Sequence, residues 1–278
     1  MAAMLVETLK TIEKYKTINP NYAELFDILS EILILREEYR QTMRPITFPL
    51  EEKLIAKKLS GGLPLLDFTT VHFDYTPARD YFLRLLEIAE KRMPGETKEF
   101  VRQIKTGELD FADVIRNSFD PTCEEELAPD VDEDTFDLIE LFVEESLRPA
   151  LEYFAGQYGD IITRSGWEEG YCPICGKEPK IGELKGDDED RRFLFCNQCG
   201  LEWDYSRIKC PFCGNEEQKT LAYFTVEGEE RYRVDVCNVC KRYVKMVDST
   251  DVVEKANLDV EDIATLHLDM LAAEEGYE

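Results

Sequence analysis

The stretch CPICGKEPKIGELKGDDEDRRFLFCNQCGLEWDYSRIKCPFCG, residues 172–214, holds three C-x-x-C pairs, and a fourth follows at Cys237 and Cys240. In order they are Cys172/Cys175, Cys196/Cys199, Cys210/Cys213 and Cys237/Cys240. Two thiolates at this spacing grip one tetrahedral metal from a tight turn, with backbone N–H groups aimed at the sulfurs and the following residue at positive φ. Gly176, Gly200 and Gly214 stand at that following position, and Lys241 departs from the pattern. The run that starts at Cys172 recurs 38 residues later at Cys210, an internal repeat. Within the repeats 20 and 23 residues separate the pairs, room for a β-hairpin, so pairing in chain order is expected. That places Cys172, Cys175, Cys196 and Cys199 at one centre and Cys210, Cys213, Cys237 and Cys240 at another. A single pair is compatible with redox chemistry, whereas four with repeated spacing point to metal. Tetrahedral sulfur suits zinc or a mononuclear iron, and the sequence does not separate them. Four protein ligands close the coordination sphere, which argues against hydrolytic zinc.

Outside the cysteine region the composition is acidic. Among 278 residues there are 33 Lys and Arg against 59 Asp and Glu, a formal charge of −26. Such a field repels nucleic-acid backbones and anionic membrane surfaces. The N-terminal MAAMLVETLKTIEKYKTINP has charges every few residues and no apolar core of a signal sequence, and no stretch offers 18 uninterrupted apolar residues. The expectation is a soluble, cytoplasmic chain without membrane insertion, where clustered cysteines serve metal and not disulfides. The ninth cysteine, Cys123, sits among acids that would raise its pKa, and is read as incidental. His72 and His267 are too isolated for a histidine metal site or a triad. Arg191, Arg192, Arg207, Lys209, Lys241 and Arg242 lie near the cysteine pairs, and offsetting thiolate charge is their simplest role. No nucleophile with a paired base stands out, and no enzymatic activity is expected.

Residues before Gly166 show helical periodicity. Asn19-Pro20 precedes a helix with Leu25, Ile28, Leu29, Ile32 and Leu35 on one face, and Thr76-Pro77 opens another that Pro94-Gly95 stops. Further helices are expected near 50–60, 96–106, 110–119 and 133–159, the last interrupted near Pro149, for a bundle of six or seven. After Gly166, RRFLFC, LAYFTV, RYRVDV and KRYVKMV read as strands. The final segment returns to helix, with Asp259 as N-cap and Ile263, Leu266, Met270 and Leu271 on one side. The expected class is α+β. An all-α domain at 1–165 precedes two tandem rubredoxin-like or zinc-ribbon modules at 166–206 and 207–250, and a C-terminal helix within 251–278 docks on the body.

The four pairs in this order, the CPICG and CPFCG turns, GLEWDYSRIKCPFCG at 200–214, SGGLPLL at 60–66 and DIATLHLDMLAAEEGY at 262–277 together resemble the formate dehydrogenase accessory protein family, FdhE. The resemblance spans most of the chain and is densest from residue 171 onward. It implies a cytoplasmic maturation factor, a chaperone in function, that binds the catalytic subunit of a respiratory formate dehydrogenase before export. It also implies that the eight cysteines from Cys172 to Cys240 ligate two rubredoxin-like centres, which favours iron over zinc. The alternatives are a rubredoxin-type electron carrier or redox sensor and, more distantly, a zinc ribbon bound to nucleic acid. A homo-oligomer is compatible with the sequence.

Overall fold

The computed structural model describes residues 2–42, 48, 50–69, 73–92, 94–95, 97–119, 133–186, 191–250 and 256–278. Cys123, His72 and the acidic run at 187–190 lie outside the described residues. The fold is α+β, with helices on either side of the cysteine region and one six-stranded sheet built from that region.

Seven α-helices precede the sheet among the described residues: α1 (Ala2–Ile18), α2 (Ala23–Thr42), α3 (Glu52–Ser60), α4 (Thr76–Arg92), α5 (Lys98–Thr106), α6 (Phe111–Phe119) and α7 (Glu133–Ser165). Helix α4 forms the centre of the bundle because Tyr81, Phe82, Leu85 and Leu86 recur at helical spacing and are at most 1 % exposed. Burying each contributes roughly 1.5–3 kcal/mol. On α2 the inward face is Phe26, Leu29, Ile32 and Leu35, and Leu25 points outward, a shift of one residue from the expected stripe. The chain enters α2 through a 3₁₀ turn, Pro20–Tyr22, and Asn19 makes no side-chain cap.

Helix α7 runs through Pro149 without the expected interruption. Proline removes one helix hydrogen bond at a cost of about 3 kcal/mol. Here Phe142, Val143, Leu147 and Leu151 are fully buried on both sides of it. Their summed burial exceeds that cost, so tertiary packing holds the helix together across the gap.

The strands are β1 (Ile181–Lys185), β2 (Arg191–Phe195), β3 (Glu202–Tyr205), β4 (Leu221–Phe224), β5 (Tyr232–Cys237) and β6 (Tyr243–Ser249), ordered β3-β2-β1-β6-β5-β4. Each repeat is an antiparallel meander. The two join through a parallel pairing of β1 with β6, from Ile181 opposite Lys245 to Lys185 opposite Ser249. The first strand of one repeat meets the last of the other, so the ribbons add side by side into one continuous sheet.

Strands β1 and β3 escape a reading by alternation. Gly182 and Glu183 are poor strand formers, yet Glu183 is buried and accepts a 2.6 Å hydrogen bond from Ser249 Oγ. The partner that makes this glutamate tolerable is 66 residues away, and no local pattern shows it.

The C-terminal segment is two short helices, α8 (Leu258–Ala264) and α9 (Leu266–Glu274), broken at Thr265. The cap of α8 is Asn257, whose side chain accepts from Val260 N–H, and not Asp259. The break reorients the second helix, so Leu268 and Ala272 are buried while Met270 is exposed. Among the described residues no helix is long and apolar enough to cross a membrane.

Candidate metal centres

The four C-x-x-C turns share one backbone geometry. The N–H after each pair donates to the carbonyl of the pair's first cysteine: Gly176 to Cys172 at 2.9 Å, Gly200 to Cys196 at 2.8 Å, Gly214 to Cys210 at 3.0 Å and Lys241 to Cys237 at 2.9 Å. Each first cysteine in turn donates its N–H five residues on, to Lys177, Leu201, Asn215 and Arg242. All four following residues have positive φ, and Lys241 at 61° is the one non-glycine residue there among those described. A side chain in that conformation costs about 1 kcal/mol. The Lys241 ammonium lies 5.3 Å from the centroid of the Tyr277 ring, a weaker compensation. Lys241→Gly is therefore expected to raise stability by about 0.5–1 kcal/mol, read as a higher denaturation midpoint at unchanged slope. A lower midpoint would mean the Tyr277 contact outweighs the strain.

The turns bring the sulfurs together in chain order. Cys172, Cys175, Cys196 and Cys199 form one group, Cys210, Cys213, Cys237 and Cys240 the other, with all Sγ atoms of a group within 4.8 Å of one another. In the first, Cys172 and Cys199 lie 3.4 Å apart and Cys175 and Cys196 3.5 Å. In the second, Cys210 and Cys240 lie 3.6 Å apart and Cys213 and Cys237 3.7 Å. A disulfide needs about 2.05 Å. A tetrahedron of 2.3 Å metal–sulfur bonds has edges of about 3.8 Å, which is the spacing these sulfurs approach. The donor set thus fits one tetrahedral thiophilic ion per group, and each group can hold one. Burial, then the neighbouring Cys172 sulfur, pushes the Cys175 thiol well above its ordinary value, and Cys199 behaves likewise. Four thiolates share so dry a pocket only when a cation joins them.

The first group belongs to the main core. Its cysteines are all buried and join the cluster that includes Ile139, Phe142, Leu147 and Trp203. Two backbone bonds tie its first turn to the SGGLPLL segment: Leu65 N–H donates to Pro173 and Leu66 N–H to Ile174, both at 2.9 Å. Helix α7 holds the rest, with Gln198 Nε2 donating to the Glu144 carbonyl at 2.7 Å and Lys177 Nζ to its carboxylate at 2.6 Å. Arg148 donates to the carbonyl of Asn197.

Arg148 also joins a buried ionic network that spacing did not reveal. Arg36 on α2 holds Glu145 of α7 bidentately at 2.6 and 2.7 Å, and Tyr81 donates to the same carboxylate at 2.9 Å. Arg148 reaches Glu152 at 2.8 Å and Asp259 of α8 at 2.8 Å. The residue read as a helix cap is the acidic link between α8, α7 and the second cysteine turn.

The second group sits at the surface. Cys213 is exposed and Cys240 partly so, while Cys210 and Cys237 are buried. Its support is lighter: Tyr205 Oη donates to the Cys210 carbonyl at 3.1 Å, and Asn215 Nδ2 lies 3.8 Å from Cys237 Sγ. Burial pushes the Cys237 thiol up, but the N–H groups of Cys240 and Val239 and the adjoining sulfurs more than offset it, leaving it at about 7. A chelator is expected to remove one metal equivalent from the native protein, from this centre, and the other only on unfolding. A colorimetric chelator added before and after denaturant reads the two steps. Simultaneous release of both equivalents would contradict the difference in burial.

Of the other residues singled out by sequence, Arg192, Arg207, Lys209 and Arg242 line one cleft beside the second centre, where Arg233 joins them. Arg191 pairs with Asp204 across the β2–β3 ladder. His267 has its Nε2 2.7 Å from Glu229, a pairing with no metal ligand in it.

Family comparison places this architecture among known proteins. Residues 171–207 match the model described as FdhE, central domain, and residues 208–278 the one described as FdhE, C-terminal domain. A Protein FdhE homolog of Aquifex aeolicus is 28 % identical over 274 residues, which is 97 % of this chain and 90 % of that one. One from Pseudomonas aeruginosa is 37 % identical over 114 residues, 38 % of this chain and 36 % of the other. The crystal structure of the FdhE protein from Pseudomonas aeruginosa shares the fold, with a TM-score of 0.71 at 22 % identity over 97 % of this chain and 91 % of that one.

Proposed function

We propose that this chain, whose residues 171–207 and 208–278 match the FdhE central and C-terminal domain models and which resembles a Protein FdhE homolog over 97 % of its length, is a cytoplasmic accessory factor that binds the catalytic subunit of a formate dehydrogenase and supports its assembly before export. The observation that carries this reading is the closure of both centres. Four cysteine sulfurs complete a tetrahedron in each, which leaves no coordination position for a substrate. In this reading Cys172, Cys175, Cys196 and Cys199 hold one ion and Cys210, Cys213, Cys237 and Cys240 the other. When bound, the ions cross-link the turns and contribute their binding free energy to folding. The ribbons at 166–206 and 207–250 then form a rigid docking unit, held by the helical domain at 1–165 and by the C-terminal segment at 251–278. No turnover by the protein itself is required.

Anaerobic affinity purification of the tagged protein from its own host, with mass spectrometry of what is retained, tests the proposal. A formate dehydrogenase catalytic subunit is the expected catch, and it should be lost with Cys210→Ser/Cys213→Ser. Normal formate dehydrogenase maturation in a host carrying that double variant would overturn the adaptor role. One observation favours a second reading: the exposure of Cys213 gives an electron a short route between the second centre and a partner. Electron transfer requires iron there. Reversible bleaching of a thiolate-to-iron absorbance band supports it, and a colourless zinc protein excludes it.

A further inference from the structure

A cleft of about 520 Å³ lies on the second ribbon, against its metal centre, with Arg192 of β2 reaching it from the first. That volume falls in the range of small-molecule sites, roughly 300–1,000 Å³. Arg192, Arg207, Lys209, Arg233 and Arg242 line it, and Asp235 is its single carboxylate. The local balance reverses the charge of the chain as a whole, which is −26. Its apolar lining includes Ile208, Leu221, Val236 and Val244.

Part of this positive charge faces the metal centre. Arg192 and Arg242 both lie close enough to feel the Cys210 sulfur, and Arg242 is further held by Glu178 at 2.6 Å. Arg192 and Arg233 share the one carboxylate of Asp235, at 3.4 and 2.8 Å. Lys209 meets Glu216 only at 3.9 Å.

Arg192 is the decisive group. It is 3 % exposed, and its Nη1 donates to the carbonyls of Ser206 and Lys209 at 3.3 and 3.0 Å, which fixes its plane. Its Nε has no hydrogen-bond partner. A buried donor left unpaired costs folding free energy that an anionic acceptor would return. Arg233 is likewise positioned in advance, with its guanidinium 4.9 Å from the centroid of the Tyr223 ring. Oriented guanidinium groups over an apolar floor are complementary to anionic oxygens carried on an apolar body.

We propose that this cleft on the second ribbon binds a small organic anion, with phosphate or carboxylate oxygens on Arg192 and Arg233 and its apolar part against Ile208, Leu221 and Val244. The site is independent of client binding, and its test needs the purified protein alone.

Isothermal titration of the full-length metal-loaded protein at low salt, with pyrophosphate, ADP and citrate as probes, reads the site directly. Saturable binding of at least one probe is expected, and it should weaken about tenfold in Arg233→Ala, as loss of one charge-assisted contact dictates, and in Arg192→Lys, which keeps the charge but loses the oriented Nε donor. Arg191→Ala, a cation on the same sheet that does not line the cleft, should bind as the unaltered protein does. Preference for ADP or pyrophosphate over citrate identifies a phosphate ligand, and the reverse a carboxylate. Metal content and thermal midpoint, measured on each variant, separate loss of the site from loss of the fold. Absence of saturable binding by all three probes would overturn the proposal. So would binding that survives both cleft variants, or that Arg191→Ala weakens equally.

Discussion

Cys196→Ser will reduce the bound metal from two equivalents to one and remove most of the protein's resistance to heat and denaturant. Cys196 is fully buried in the first centre, between β2 and the helical core. Metal binding at a structural thiolate site is worth about 10–16 kcal/mol in folding terms. The entire margin of a domain is about 5–15 kcal/mol. Losing half of the first quantity, about 5–8 kcal/mol, removes a large share of the second. The consequence extends beyond one ribbon, because the first turn pairs with Leu65 and Leu66 and the second docks on α7. The matching variant at the exposed ligand, Cys213→Ser, should lower stability by much less, since few buried side chains depend on its position. Metal analysis and circular dichroism during thermal unfolding measure both. Equal losses in the two variants, or a Cys196→Ser protein that melts where the unaltered one does, would show that the first centre is no part of the core.

The second large effect lies in the ionic network between α2, α7 and α8. Arg36→Leu should cost about 3–5 kcal/mol, because it leaves the Glu145 carboxylate buried with Tyr81 as its remaining close partner. The gross attraction of the pair is not the measure of this loss. The penalty comes from an uncompensated charge in an apolar interior, so removing both charges should be far milder. Arg36→Leu with Glu145→Leu is expected to regain at least half of what the single variant loses. Urea denaturation at constant slope gives each value. A double variant as unstable as Arg36→Leu would mean that the network contributes through its hydrogen bonds to Tyr81 and not through charge balance.

The network and the metal centre illustrate two kinds of legibility. A C-x-x-C turn is local. Its geometry depends on a few consecutive residues and on positive φ at the next, so the spacing in the chain carries the ligand set, and the repeat carries the pairing. Long helices are legible for the same reason, and α4 runs from Thr76 to Arg92, between the Thr76-Pro77 start and the Pro94-Gly95 stop. Errors arose where a distant partner overrode a local rule. Pro149 interrupts a helix only if packing does not hold the two halves in line, and Leu147 and Leu151 do hold them. Asp259 resembles a cap, yet Arg148 from α7 claims its carboxylate and leaves Asn257 to cap the helix. Strand β1 was hidden by Gly182 and by Glu183, whose burial depends on Ser249 of a strand in the other repeat.

By itself, then, the sequence determined the class of the protein, the eight cysteines and their division into two groups, because each of these follows from short-range spacing and covalent geometry. Only the tertiary structure decided that the two groups are physically unequal, one sealed in the main core and one open at the surface. It alone decided that β1 and β6 fuse the repeats into a single sheet, and that scattered cations converge on one cleft. These properties depend on which faces meet. The two repeats carry nearly the same local pattern, so burial, register and charge convergence emerge only when the helices seal the first metal centre and, with α9 packed on β5, leave the second centre open.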